Sequence, residues 1–196
     1  MTGFRVSVNS KEVAAVSTDD LNILSVQIHG DVIGDELAEL QVFGGNYNGE
    51  ETDTHLIWID GFELHENDEV EVILHESIKS SCRGKTIDEL HPETEVLPEE
   101  NQTIDELFKD LSDKPKKRDG FSIKLHPSSG EPVIYKTSTD DFSFIFSVMW
   151  KWLHPEKASV WLTSNTLEGI KERKSGTNHA RLSLQYEQGI KLNVGT

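Results

Sequence analysis

Short runs in which apolar and polar residues alternate, each cut off by Gly, Asn, Asp or Pro, constrain this chain more than any other feature. A period of two puts successive side chains on opposite faces, the signature of a half-buried strand. Phe4-Arg5-Val6-Ser7-Val8 shows it, Asn9-Ser10-Lys11 supplies turn residues, and Val13 to Val16 runs back, which predicts a hairpin. Ile23 to His29 repeats the pattern, with Leu24, Val26 and Ile28 on the uniformly apolar face. Leu40 to Phe43, His55 to Ile59 and Glu69 to Leu74 complete six short strands before residue 78. Regular spacing and turn-rich breaks predict a small all-β sandwich or barrel there.

The remainder reads differently. Residues 79–119 carry Pro92, Pro98 and Pro115 and a run of glutamates, and predict an acidic linker. Thr86-Ile87-Asp88-Glu89-Leu90 recurs as Thr103-Ile104-Asp105-Glu106-Leu107; each Thr is placed to N-cap a short helix whose first turn is acidic. The second copy extends to Leu111, and Ile104, Leu107, Phe108 and Leu111 form a helical stripe expected to dock on the chain itself.

Residues 120–196 open with a second hairpin, Phe121–Leu125 and Val133–Tyr135, and contain the most apolar stretch, Asp141 to Leu153. That stretch fits two periods. A helix lines up Phe142, Ile145, Phe146, Met149 and Leu153; a strand lines up Phe142, Phe144, Phe146, Val148, Trp150 and Trp152. Its length, the cap-forming Ser138 to Asp141 and the stop at His154-Pro155 favour the helix. Ser159–Leu162, Ala180–Tyr186 and Ile190–Val194 read as strands, and Glu168–Gly176 as a loop. The expectation is an α+β chain overall: an all-β sandwich or barrel over 1–78, a linker over 79–119, and an α+β domain over 120–196 built on one central apolar helix.

Charge narrows the function. Residues 1–113 hold 27 Asp and Glu against 6 Lys and Arg, a net −21; residues 114–196 carry a net +5. An acidic half repels nucleic acid and anionic membrane and attracts a basic partner. Met1-Thr2-Gly3-Phe4-Arg5 is not a basic region followed by an apolar run, no stretch approaches a membrane span, and Cys82 is the single cysteine. Together these predict a cytoplasmic protein that binds neither membrane nor, through its N-terminal half, nucleic acid.

Motifs for chemistry are missing. HExxH, HxxxH, CxxC, GxSxG, GxxxxGK[ST] and GxGxxG do not occur, and His55, His65 and His75 stand ten residues apart, too widely for a local metal site. No catalytic residue, metal or cofactor is assigned, and a non-enzymatic binding role follows. The expected partner contacts are Glu66, Asp68, Glu69 and Glu71 on the sixth strand and its turn, Asp53 and Asp60 nearby, and the aromatics Phe144, Trp150 and Trp152. The leading expectation is an acidic immunity or antitoxin-type inhibitor that occludes a basic toxin. The alternatives are an adaptor that assembles through the aromatic helix, and a hydrolase with an unfamiliar site.

The opening hairpin, Leu40-Gln41-Val42-Phe43-Gly44-Gly45 with Thr54-His55-Leu56-Ile57-Trp58, and the closing Leu64-His65-Glu66-Asn67-Asp68-Glu69-Val70-Glu71-Val72 make residues 4–76 resemble a group of small, acidic, uncharacterised bacterial β-domain proteins. The resemblance covers under half of the chain and implies no activity and no site residues.

Overall fold

A computed structural model describes residues 1–47, 49, 53–92 and 103–196. The strands are β1 (Gly3–Val8), β2 (Lys11–Ser17), β3 (Ile23–Asp31), β4 (Ala38–Asn46), β5 (Thr54–Leu64), β6 (Glu69–His75), β7 (Ser122–Pro127), β8 (Val133–Lys136), β9 (Ser143–Lys151), β10 (Lys157–Asn165), β11 (Thr177–Gln185) and β12 (Gly189–Gly195). Among the described residues three short helices join them: α1 (Ile87–Leu90), α2 (Ile104–Asp113) and α3 (Leu167–Lys171).

The strands form two six-stranded antiparallel sheets. The first runs β2-β1-β6-β12-β7-β8, the second β11-β10-β9-β3-β4-β5. Each takes three strands from before residue 78 and three from after residue 120. The seams are β6 on β12, with Val72 opposite Ile190, and β3 on β9, with Val26 opposite Val148. Phe4, Leu24, Phe146 and Ile190 belong to one continuous buried cluster between the sheets. This corrects the expected α+β class: there is no separate six-stranded N-terminal sandwich and no central helix among the described residues, but one two-sheet architecture that interleaves both halves.

The stretch expected as the central helix is β9. Its inward face is Phe144, Phe146, Val148 and Trp150, all buried, while Ile145 points out and is 45% exposed. Aromatic and β-branched residues favour a pleated surface, and β9 sits between β3 and β10, pairing with both along its length. A helix here would strip backbone partners from two neighbouring strands. The residues that offered a helix cap form a turn instead, with Asp141 Oδ2 accepting from the Ser138 amide at 2.7 Å. Glu168–Gly176, expected as a loop, holds α3, capped by the Thr166 side chain accepting from the Gly169 amide.

Local chemistry explains the connections. Asn9 and Ser10 between β1 and β2 both have positive φ, 52° and 64°, as a two-residue hairpin turn with right-handed twist requires. Both Thr-led repeats form capping boxes: Thr86 and Glu89 start α1, Thr103 and Glu106 start α2. The helix α2 lies on α3, where Lys171 Nζ meets Asp105 Oδ1 at 2.8 Å. Its stripe is half used: Phe108 and Leu111 are partly covered, Ile104 and Leu107 exposed. No helix among the described residues is long and apolar enough to cross a membrane.

The described part of the expected linker also seals one side of the sandwich. The Ser81 amide donates to the Ala15 carbonyl and Ser81 Oγ accepts from the Ala15 amide, Ser80 Oγ accepts from the Ser17 amide, and Lys85 pairs with Ile57, so the edge strands β2 and β5 are both covered. An unpaired edge invites association with other chains, and covering it removes that hazard. On the other side β8 and β11 are the edges of the two sheets, with no further strand beside them among the described residues.

Two outcomes follow from the interleaved sheets. A chain cut at a protease site inserted between residues 92 and 103 is expected to elute as one native particle, separating into two fragments only in denaturant; size-exclusion chromatography before and after 6 M urea checks this. The truncated chain 1–78 is expected to lack a cooperative thermal transition, because β6 and β3 lose the strands that pair and cover them.

Candidate functional site

A concavity of about 940 Å³ lies at the end of the sandwich where several connections meet. Its walls are the β3–β4 connection, the β5–β6 turn, the segment leading into β7, and the residues that follow β8. Arg118 holds it together. Its Nη1 donates to the Asp31 carbonyl at 2.6 Å and its Nη2 to the Gly34 and Asp35 carbonyls at 3.0 and 3.3 Å, while the guanidinium lies 5.7 Å from the centre of the Phe121 ring. The planar fork suits several carbonyls at once, and its flat face suits an aromatic ring. Asp31 Oδ1 shapes the same loop by accepting from the Ile33 and Gly34 amides. Lys117 pairs with Asp35 and, with it, holds that carboxyl below its ordinary value.

Both nearest cations are therefore turned to the wall. The rim carries Glu36, Glu63, Glu66 and Asp119, all exposed and none in an ion pair among the described residues. Among the described residues, Lys136 and the carbonyl-bound Arg118 are the lining Lys and Arg side chains without such a pair. The result is a polar cleft with a surplus of uncompensated carboxylates, able to accept Lys or Arg side chains and poorly suited to phosphate.

The expected acidic contacts fall into five settings. Glu66 lines this cleft. Asp68 next to it serves the β5–β6 turn, accepting from the His65 amide at 2.8 Å and from Asn9 Nδ2 at 2.7 Å; the backbone bond first, and the Asn9 bond second, hold its carboxyl below the ordinary value. Glu69 and Glu71 share the outward face of β6, but Glu69 Oε1 is 2.6 Å from Lys191 Nζ and Glu71 lies opposite Lys191 in register. Asp53 precedes β5 at the end away from the cleft and accepts from the Gly49 amide, and Asp60 meets His91 Nε2 at 3.0 Å.

Two of the three aromatics are core. Phe144 is fully buried, edge-on to Phe121 with ring centres 4.7 Å apart, and Trp150 is 5% exposed with its indole Nε1 donating to the Pro155 carbonyl. Trp152, just past β9, is 60% exposed and open to contact. Sequence reading missed Glu36, Glu63 and Asp119. They come from the β3–β4 connection, the end of β5 and the segment before β7, and no local spacing joins them.

One other constellation resembles chemistry. Ser164 Oγ lies 2.8 Å from Asp141 Oδ2 and 2.8 Å from His179 Nε2. A nucleophilic serine hands its proton to a histidine that a carboxylate orients. Here the hydroxyl occupies the middle, is 1% exposed, and has Asp141 as its acceptor. The trio ties the start of β9 to the end of β10 and the start of β11. His55, His65 and His75 do not converge: they pair separately with Tyr47, Asp68 and Glu187. Among the described residues no group of three His, Cys, Asp or Glu is arranged to hold a metal ion.

Asp141→Ala leaves the Ser138 amide without its acceptor and the Ser164 hydroxyl with His179 Nε2 alone, and an orphaned buried donor costs about 1–3 kcal/mol. The variant is expected to lose roughly 2 kcal/mol or more in urea denaturation, with Ser164→Ala losing less. The Asp68 turn gives a pH signature. A carboxyl with a lowered folded-state value stabilises above its unfolded value, and that stabilisation fades as pH falls through the folded one. Below about pH 4 the difference in stability between the wild type and Asp68→Asn is expected to shrink; denaturation midpoints between pH 7 and pH 2.5 measure it.

No family model matches the chain, and neither a curated protein nor a solved structure does.

Proposed function

We propose that this chain is a non-enzymatic, acidic protein-binding module that captures a basic segment of another protein in the cleft at the end of its sandwich, and that the partner is a toxin which it neutralises. The carrying observation is the rim of Glu36, Glu63, Glu66 and Asp119 around a cleft whose own Arg118 and Lys117 are engaged in its wall. Toxins that cut nucleic acid need a basic surface to hold phosphate. An acidic cleft on a strongly negative protein meets such a surface quickly and covers it. The fold supports this with rigidity: the cleft wall is braced by hydrogen bonds from one arginine rather than left to open loops, which lowers the ordering cost of binding.

The adaptor alternative no longer has its helix, but Trp152 and Leu153 remain exposed at the β9–β10 turn. A hydrolase reading draws no support from Ser164, enclosed and proton-paired to Asp141.

The test replaces Glu36, Glu63 and Glu66 with Gln and Asp119 with Asn, and follows binding to an arginine- and lysine-rich peptide by stopped flow. Association is expected to slow by about tenfold or more at low salt, with little change in dissociation. Gln at Glu69 and Glu71, outside the cleft, is the control and is expected to act weakly. If the cleft variant associates at the wild-type rate across salt concentrations, capture at this site is wrong. Co-expression with the product of an adjacent reading frame tests the toxin assignment; growth restored by the wild type and not by the cleft variant is the expected result.

A further inference from the structure

Another concavity, of about 270 Å³, opens on the outward face of the second sheet over β3, β4 and β5. It shares no lining residue with the acid-rimmed cleft. Leu40 and Val42 point into the core, so alternation turns Gln41 and Phe43 outward, and Gln27 likewise between Val26 and Ile28. The register sets the lining in two rows. Gln27, Gln41 and Asp60 stand opposite one another on the three strands, about 4.8 Å apart. Phe43 and Ile57 form the next row, about 7 Å further along. The pairing of β4 with β5 shifts register twice here, between Leu40 and Gln41 and between Val42 and Phe43. Such bulges bend a strand and re-aim its side chains, which opens a hollow where a regular sheet is even.

The hollow is apolar along one row and polar along the other. The Phe43 ring continues into that of His55, with centres 5.7 Å apart. Gln27 and Gln41 are half-buried, and among the described residues neither side-chain amide has a hydrogen-bond partner. Asp60 and His55 are steadied by neighbours: His91 Nε2 meets Asp60 Oδ2 at 3.0 Å, and the Tyr47 hydroxyl meets His55 Nδ1. These groups select a ligand. An ammonium only donates hydrogen bonds and an anion only accepts them, whereas a carboxamide presents two donors and an acceptor. Two free carboxamides side by side fit a molecule that does both. Among the described residues no Lys or Arg lines the hollow, and the strongly negative N-terminal half repels phosphate and other anions. The fitting ligand is uncharged, with hydroxyls at its rim and an apolar face.

We propose that this hollow binds a neutral sugar, one pyranose ring of an uncharged glycan, with Phe43 and Ile57 beneath its C–H face and Gln27, Gln41 and Asp60 along its hydroxyls. The C–H groups of a pyranose carry slight positive charge and pack on the negative face of an aromatic ring. Each hydroxyl offers one donor and two acceptor positions, so it bonds an amide nitrogen and a carboxamide or carboxylate oxygen at once. A nucleobase also donates and accepts, but in nucleic acids and nucleotides it comes with phosphate, which the surrounding charge opposes. Sites for drug-sized ligands measure about 300–1,000 Å³, so this one takes a single ring. One ring held by a few hydrogen bonds binds with a Kd of about 1 mM. The sugar site stands or falls independently of toxin capture in the acid-rimmed cleft.

Proton–nitrogen correlation NMR on the full chain tests the proposal, because it reads the side-chain amide signals of the glutamines directly. The probes are maltose, cellobiose, lactose, mannobiose and chitobiose, each titrated to tens of millimolar. At least one is expected to shift the Gln27 and Gln41 side-chain signals with a Kd of about 1 mM. Gln41→Leu keeps the bulk and removes the amide, and is expected to weaken that binding about tenfold or more. Phe43→Ala is expected to do the same, with thermal melts to confirm that each variant is folded. Should Phe43→Ala unfold the chain, Gln27→Leu takes its place. Trp152→Ala, an exposed aromatic outside the hollow, is expected to bind as the wild type does, and so is the variant of the acid-rimmed cleft. If none of the five sugars moves either glutamine signal, the proposal is overturned. Sugar binding that Gln41→Leu and the second variant leave intact overturns it too, as does adenosine or spermidine moving the same signals at lower concentration than every sugar.

Discussion

The backbone pairing of β6 with β12 and of β3 with β9 is the constraint on which the rest of this structure depends. These two seams join strands separated by more than a hundred residues, and without them each half of the chain holds two three-stranded pieces with unpaired edges. Unpaired backbone is costly to bury and hazardous to expose. With the seams made, Val72 and Ile190, or Val26 and Val148, lie side by side within their sheets, and both sheets press their apolar faces into one core. Such pairings close long loops before they are rewarded by contacts, so this chain belongs among slow-folding topologies.

The cleft is a consequence of that arrangement. Because both sheets mix strands from both halves, connections distant in sequence emerge at the same end of the sandwich. Arg118 arrives just before β7, and reaches back across more than eighty residues to the carbonyls of the β3–β4 connection. One guanidinium there stabilises a loop and keeps its donors turned to the wall. Lys117 is neutralised beside it by its ion pair with Asp35. The acidity that remains at the rim is thus a matter of which charges the fold neutralises, more than of how many acids the chain contains.

The same reasoning separates the acids. Asp68 and Glu69 looked equivalent to Glu66 as members of one acidic run, yet the first holds a turn and the second meets Lys191, a residue from the far end of the chain. The aromatics divide likewise. Phe144 and Trp150 fill the core, Trp152 is exposed two residues further on, and Trp161, on the outward side of β10, is half-exposed in the middle of an open sheet face.

What the sequence determined by itself is local. Alternation marked eleven of the twelve strands, Asn9 and Ser10 marked a hairpin, and the two Thr-led repeats marked two capped helices, because each depends on residues a few positions apart. The segment that became β9 satisfied both periods, and only the tertiary structure decided it: the deciding term was the row of hydrogen bonds offered on either side by β3 and β10, which no window along the chain contains. Strand partnership was decided in the same way. The sequence could show that Ile190 to Val194 is a strand, but a strand's edges carry the same amides and carbonyls whichever strand lies beside them, so its place between β6 and β7 depended on how both faces of the whole chain could be covered at once. The cleft shared that fate, since the closeness of Glu36, Glu63, Glu66 and Asp119 follows from that partnership and from nothing nearer in the chain.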